Sequence, residues 1–464
     1  MSESRPSVLL PWQKIALGVF VVVLVVLLGI PFVTRARENE MEVYLIGTKR
    51  FVAGEKVHRY PSEMDSPLER AFTYPALFAV PFVPILHWPK EAQGIAWYAM
   101  NLAALGAIFW VLIRRVEPMI SPEKPVRLVR IFGIVLFVMA ARHMLSPLEN
   151  QSHDLLVFAA CALGIEMVCR NRQWAAGVWV GLGAALKCTP LLYAPIWVWQ
   201  RRWGAVASML IAGTAFTFLP DAIVRANDGK PWIQTWYEVF IRKIEIGESA
   251  QSDKSQAWDA WTLWNQSIPG TFHRLFTFVP RSAYIDDDGK VIHTAKFDMH
   301  LVHLDRKVLK YSIMAGQLAV LGWLTWICRR KWTDQANEAD RPTILFGQMS
   351  AVLLGMVLLS PTSIKTHFAV MLFPMAFCLA DYVWRKRDGF VGAVLLMQIL
   401  LGTLTAKGII GTKRGDLILS YGTVTWCAIG LLAASGRIIL QRAAAKAQTA
   451  TQEQLDTGIQ RIAA

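Results

Sequence analysis

The chain has 464 residues, of which 54% are hydrophobic and 18% charged, and its formal charge is +14 from 48 Lys and Arg against 34 Asp and Glu. Soluble domains carry about 25% charged residues, and mean hydropathy here is +0.36. A soluble multidomain enzyme, a disordered chain and a disulfide scaffold are excluded.

The apolar residues fall in blocks of roughly 17–22, about what a helix needs to cross ~30 Å of hydrocarbon. The spans expected in chain order are 13–33, 92–113, 128–146, 154–169, 174–187, 189–200, 204–223, 308–328, 342–360, 367–384, 389–405 and 417–439. That is an all-α polytopic membrane protein with about twelve crossings, one integral domain over 1–440 and a polar cytoplasmic tail over 441–464. The first run, Ile15 to Val33, is followed by no A-x-A site and reads as a retained helix. The region 174–200 is ambiguous, two short crossings or one kinked re-entrant pair that does not fully cross; counting it as two crossings keeps the parity.

Basic residues set the orientation. Arg114, Arg115, Lys124 and Arg127, then Arg170 and Arg172, Arg201 and Arg202, Arg329 to Lys331, and Arg385 to Arg387 all fall on one side when the N-terminus is inside. The charge therefore reads as the cytoplasmic excess of a membrane protein and not as a nucleic-acid surface. Two large loops, near 34–73 and 225–307, are then extracytoplasmic. Short external turns fall near 143–154, 187–188, 361–366 and 407–416.

The first external loop holds seven carboxylates: Glu38, Glu40, Glu42, Glu55, Glu63, Asp65 and Glu69. Glu40-Met41-Glu42-Val43-Tyr44 predicts the start of a helix along the membrane, with Glu40, Val43 and Tyr44 on one face. From Phe72 to Trp88, Pro75, Pro81 and Pro84 break a spanning helix and predict a short interfacial one. Trp88 and Tyr98 are expected at headgroup level.

Further along, small residues in AAGVWVGLGAAL predict close helix packing. Lys187 stands between two apolar half-spans at the external end, where an ammonium needs water, a partner or an anionic ligand such as phosphate. The second loop carries Trp258, Trp261 and Trp264, an interfacial ridge, then Asn265-Gln266-Ser267 and Arg274. Asp286-Asp287-Asp288-Gly289 reads as a tight turn. Asn150 and Asn265 open chance sequons. Lys365 and His367 lie at the mouth of a late span. The six cysteines have no zinc or disulfide pattern and read as small apolar-segment residues; no metal and no cofactor are expected.

Taken in order, these elements resemble glycosyltransferase family 87, polyprenol-phosphate-sugar-dependent enzymes of the GT-C type that include the mycobacterial phosphatidylinositol-mannoside mannosyltransferases. The resemblance spans about Glu40 to Ala380. It rests on Glu40 to Tyr44, Tyr74-Pro75-Ala76, Gly181 to Pro190, Asn265 to Ser267 with Arg274 after it, and Ser360 to His367. Three departures stand out. Glu40 replaces the family's usual Asp, Ala76 replaces a proline, and Ile364 and Thr366 replace a Trp and a His.

The resemblance implies transfer of a hexose, mannose first, from a polyprenyl-phosphate donor to a lipid or glycan acceptor. The reaction would invert the anomeric centre on the extracytoplasmic face of a bacterial plasma membrane. Membrane lipids and no nucleic acid are the other partners. Glu40 is the expected base, with Glu42 the fallback and His367 a third catalytic candidate. Lys187, Arg274, Lys365 and His367 are expected phosphate ligands. Tyr74, Asn265 and Gln266 from the matched elements, and Gln151 from the turn at 150–154, are expected substrate contacts. A transporter or flippase of lipid-linked sugars is the second reading and a structural membrane subunit the third. Against the second stand the missing internal repeat and the few charges at mid-membrane depth.

Overall fold

The structure is a computed structural model that describes residues 29, 40–59, 71–120, 125–244, 246–247, 262–277, 284–285, 291–292, 297 and 299–463. The expected first span apart from Gly29, the acids Glu38, Glu63, Asp65 and Glu69, the ridge residues Trp258 and Trp261, and Asp286 to Asp288 lie outside the described residues.

Among the described residues, seven helical segments are long and apolar enough to cross a membrane: Lys90–Met119, Val126–Glu149, Trp203–Ile223, Arg306–Asp334, Arg341–Leu359, Lys365–Trp384 and Thr423–Ala444. The helices are α1 (Glu40–Val52), α2 (Lys90–Val116), α3 (Val126–Glu149), α4 (Asp154–Cys169), α5 (Gln173–Leu186), α6 (Tyr193–Trp199) and α7 (Trp203–Ile223). They continue as α8 (Trp232–Val239), α9 (Ile268–Phe276), α10 (Arg306–Ile327), α11 (Arg341–Leu359), α12 (Leu372–Trp384), α13 (Gly389–Met397), α14 (Thr412–Ser420) and α15 (Thr423–Ala463). The only described strands form a two-residue hairpin that pairs Tyr284 with Ile292 and Ile285 with Val291.

The expected crossings at 154–169, 174–187, 189–200 and 389–405 are helical but short. α4 has 16 residues, α5 has 14 and α6 has 7. α13 has 9 residues before a π segment over Gln398–Thr403. Among the described residues, length and composition alone therefore do not confirm a count of about twelve.

Burial separates centre from rim. α11 is buried on nearly every side, from Thr343 to Leu358. α7 buries only Ala205, Ser208, Met209 and Pro220. Ile134, Phe137, Leu210, Ile211 and Leu318 are exposed, as apolar side chains facing lipid would be.

The small residues of α5 act as expected. A Cβ added to Gly177 would sit 2.3 Å from the Ala205 carbonyl oxygen, so α5 and α7 approach backbone to backbone.

The stretch 72–88 differs from the interfacial helix expected of it. It forms a 3₁₀ segment over Ala76–Ile85 in which Leu77, Phe78 and Phe82 are buried. Pro81 and Pro84 lack the N–H donors of an α-helical ladder, and the tighter winding tolerates them. An apolar sequence with no polar face then goes inside, beneath α1. Tyr98 is likewise buried, whereas Trp88 is exposed.

The helix order sorts the two ends. α2 begins, α3 ends, α4 begins and α5 ends near residues 90, 149, 154 and 186, all at one end. At the other end Arg115 and Arg170 bind the buried Glu166 at 2.7 and 2.5 Å, and Arg385 binds Asp381. Arg437 binds Asp388 there.

Candidate active site

α1 begins at Glu40, and the Glu40 N–H donates to the Asn150 carbonyl. One turn on, the Tyr44 hydroxyl donates to the Glu40 carboxylate. The i, i+4 spacing makes this contact. The Tyr74 hydroxyl approaches the same oxygen at 3.4 Å, and His153 Nδ1 stands 4.0 Å from it. Tyr44 is fully buried against Phe78, with ring centroids 4.5 Å apart.

Tyr74 is held from behind. His58 Nε2 bonds the Tyr74 carbonyl at 2.8 Å, and Trp236 Nε1 of α8 donates to the Thr73 carbonyl at 2.9 Å.

Burial, and next the charge of Asp154, lift the Glu40 carboxyl to about 6, while the Tyr44 bond and Lys187 pull it down. Burial also holds Tyr44 well above the ordinary phenol value, so it stays a donor. Burial pushes His153 down to about 3, so the ring is neutral. Tyr44 has one proton and gives it to Glu40. Its oxygen, 3.2 Å from His153 Nδ1, must then accept from an Nδ1–H. The lone pair is left on His153 Nε2, which is buried and has no partner among the described residues.

A second carboxylate completes the cluster. Asp154 opens α4, where the helix dipole favours negative charge. Lys187, the residue closing α5, donates to Asp154 Oδ1 at 2.9 Å. Ser152 Oγ donates to Asp154 Oδ2 at 2.6 Å. His367 Nε2 stands 3.7 Å from Asp154 Oδ1. His367 Nδ1 accepts from the Ile364 N–H at 3.3 Å, which leaves the proton on Nε2 in the neutral ring. Five segments, at 40–44, 74, 152–154, 187 and 367, thus meet at one end of the bundle.

Of the residues singled out in the sequence, the structure brings together Glu40, Tyr74, Lys187 and His367. Glu42 is exposed on another face of α1. Gln151 is buried beside the cluster, and its carbonyl accepts from Trp97 Nε1 at 2.9 Å.

Asn265, Gln266 and Arg274 form a separate clasp. Asn265 donates to the Pro361 carbonyl, and its Oδ1 accepts from the Ser363 N–H. The Gln266 side chain donates to the carbonyls of Leu263 and Leu419. Arg274 is buried and donates to the carbonyls of Ser420, Thr262 and Asn265 at 2.8, 2.7 and 2.5 Å. Asn265 and the Gln266 N–H, which donates to the Ser363 carbonyl at 2.6 Å, hold the 361–367 turn from outside the Glu40 cluster, while Arg274 and the Gln266 side chain tie the 262–266 loop to residues 419–420. Lys365 belongs to that turn but makes no hydrogen bond or ion pair among the described residues.

The sequence model of glycosyltransferase family 87 matches residues 72–361, more than half of the chain. The chain belongs to glycosyltransferase family 87. It is 23% identical over 416 residues to the polyprenol-phosphate-mannose-dependent α-(1-2)-phosphatidylinositol mannoside mannosyltransferase of Mycobacterium tuberculosis, covering 87% of this chain and 85% of that one. It is 26% identical over 367 residues to the corresponding pentamannoside mannosyltransferase of Mycolicibacterium smegmatis, covering 78% and 66%. The crystal structure of ArnT from Cupriavidus metallidurans bound to undecaprenyl phosphate aligns over 92% of this chain and 77% of that one at 13% identity, with a TM-score of 0.34. An overlap that low adds nothing to the assignment. The protein is a multi-pass membrane glycosyltransferase of the GT-C type.

Sequence reasoning passed over Ser152, His153 and Asp154 as site residues. A signal was available in Asp154, an acid at the mouth of an apolar segment, which is expensive without a partner. Only the fold shows that the partner is Lys187, 33 residues on.

Proposed function

We propose that this glycosyltransferase moves a hexose, mannose by analogy with its named relatives, from a polyprenyl-phosphate donor to a hydroxyl of a lipid or glycan acceptor. The transfer inverts the anomeric centre and takes place on the extracytoplasmic face of a bacterial plasma membrane. One observation carries this reading. In a chain of this family, a half-buried carboxylate held near pKa 6 by its surroundings shares one end of the bundle with an ammonium and an imidazole.

Glu40 accepts the acceptor's proton as the hydroxyl oxygen attacks the anomeric carbon. The bond from that carbon to the phosphate oxygen breaks, and the electron pair leaves with the phosphate. Lys187 gives one of its three N–H donors to Asp154 and has two for phosphate oxygens. His367 Nε2–H is a further donor. Asp154 is a positioning residue that aims Lys187 and His367 while leaving the group near neutral. Asn265 and Gln266 brace the 361–367 turn, and Arg274 braces the loop that carries them.

The test is transfer by the purified full chain from radiolabelled polyprenyl-phosphate mannose to a membrane-lipid extract. A new labelled glycolipid that disappears with Glu40→Gln is the expected result. No product with mannose, glucose or arabinose donors would overturn the proposal and leave transport as the stronger reading.

A further inference from the structure

Lys365 and His367 are two residues apart on a 3₁₀ turn over Lys365–Met371. With three residues per turn their side chains diverge by about 120°. His367 turns to Asp154 and Lys187. The turn packs against α3, the helix that carries Arg142, and Lys365 lies within electrostatic range of Arg142, Glu149, Lys407 and Asp416 rather than of Asp154. The turn separates two charged clusters.

The second cluster carries unbalanced positive charge. Lys407 is neutralised by Asp416 at 2.5 Å, and its ammonium lies 4.3 Å from the centre of the Trp264 ring. Arg142 and Lys365 form no ion pair among the described residues. Arg142 sits in the spanning helix α3, where a guanidinium is expensive unless it has a role. One of its nitrogens, Nη1, donates to the Gly402 carbonyl at 2.8 Å and to Thr405 Oγ1 at 2.9 Å. Gly402 belongs to the π segment, a distortion often found at functional sites. Nε and Nη2 of Arg142 make no hydrogen bond among the described residues. The next residue, His143, is 1% exposed, and neither of its ring nitrogens has a partner among the described residues.

Arg142 and Lys365 have only the exposed Glu149 as a carboxylate not already paired, so the group keeps a net positive charge that calls for an anion. The other end of the bundle collects the basic loops, so cations at this end are not explained by the charge bias that orients membrane helices.

We infer that Arg142 and Lys365, flanked by Lys407 and Trp264, form a second anion site that binds the phosphodiester of a lipid headgroup. This site is distinct from the phosphate of the sugar donor beside Lys187 and His367. The inference rests on the donor placement proposed above. A donor phosphate must lie next to the anomeric carbon and therefore near Glu40, on the His367 side of the turn. The phosphodiester comes from the acceptor lipid itself or from a resident membrane phospholipid. Arg142 supplies paired N–H donors and Lys365 a mobile charge, and the exposed Trp264 ring lies against the Lys407 ammonium at the edge of the site.

The test is native mass spectrometry of the purified full chain in detergent. The probes are dioleoyl phosphatidylinositol, dioleoyl phosphatidylglycerol, dioleoylglycerol as the phosphate-free control, and decaprenyl phosphate. Wild type should retain the phospholipids over dioleoylglycerol. Lys365→Met and Arg142→Gln should each weaken phospholipid retention about tenfold, the size of a lost charge-assisted bond. Both should leave decaprenyl phosphate within twofold. Lys365 makes no hydrogen bond, so Lys365→Met should fold even if Arg142→Gln does not, and melting curves check this.

Retention of phosphatidylinositol alone marks an acceptor subsite, and equal retention of both phospholipids marks a resident-lipid site; either supports the inference. Unchanged phospholipid retention in Lys365→Met overturns it. So does an equal loss of decaprenyl phosphate, which would put Lys365 on the donor. A wild type that binds phospholipid through these residues but neither binds decaprenyl phosphate nor transfers sugar refutes the proposed function and leaves this site standing.

Discussion

Lys187 Nζ lies 2.9 Å from Asp154 Oδ1, and the two residues close and open successive helices at the same end of the bundle. A lysine and an acid that each look costly in the sequence neutralise one another in the fold. Removing one partner of a buried pair costs about 3–5 kcal/mol, because the other charge is left uncompensated. Lys187→Met should therefore lose both transfer activity and thermal stability. Lys187→Met with Asp154→Asn should recover most of the melting temperature and none of the activity. Recovery of activity in the double variant would show that the pair serves folding alone.

The base has a sharper test, because its neighbour in the sequence is a built-in control. Glu40→Gln should lower turnover by roughly 10²–10⁴-fold, the usual size of general-base catalysis. Glu42 is exposed on another face of α1, and Glu42→Gln should stay close to wild type. Glu40→Asp pulls the carboxylate back by about one bond length and should keep partial activity. A dead Glu42→Gln with an active Glu40→Gln would exchange the roles.

Activity should also report the carboxyl's environment. A base with a pKa of about 6 is protonated and idle below that pH, so kcat/KM should rise with pH through a midpoint near 6. The Tyr44 bond favours the charged carboxylate. Tyr44→Phe removes it, so the carboxyl pKa rises and the rising limb moves to higher pH. A limb that moves to lower pH, or does not move, would remove Glu40 as the titrating base.

Arg274 separates a brace from a ligand. Arg274→Met leaves the carbonyls of Ser420, Thr262 and Asn265 without its donors, at about 1–3 kcal/mol for each buried group left unsatisfied. The melting temperature should fall, with the donor KM of the folded fraction unchanged. A stable variant with a raised donor KM would instead place Arg274 on the phosphate.

The side of the membrane can be read from two glycines where an added Cβ meets nothing within 4 Å, Gly408 at the site end and Gly389 at the other. In intact cells an impermeant thiol reagent should label Gly408→Cys and not Gly389→Cys. The reverse pattern would place the site on the cytoplasmic face.

The amino-acid sequence alone determined the membrane class, most of the helix positions, the sorting of basic residues to one end and the Glu40–Tyr44 face. Each of these follows from local periodicity and from the cost of charge in lipid, which act within one helix at a time. The family was legible too, through short elements kept in order. Tertiary structure decided which charged residues meet. Arg274 and Lys187 are both cations beside apolar segments, and nothing local distinguishes one bound to carbonyls from one paired with Asp154. The partners of His153 and Asp154 lie on α1, α5 and the 365–371 turn, and those separations are closed only by packing. The stretch 72–88 shows the same limit. Its prolines foretold a break in the α-helix, but burial depended on α1 lying over it. Side chains from five segments converge because the bundle burial is satisfied globally, a sum over contacts that no window of the sequence contains.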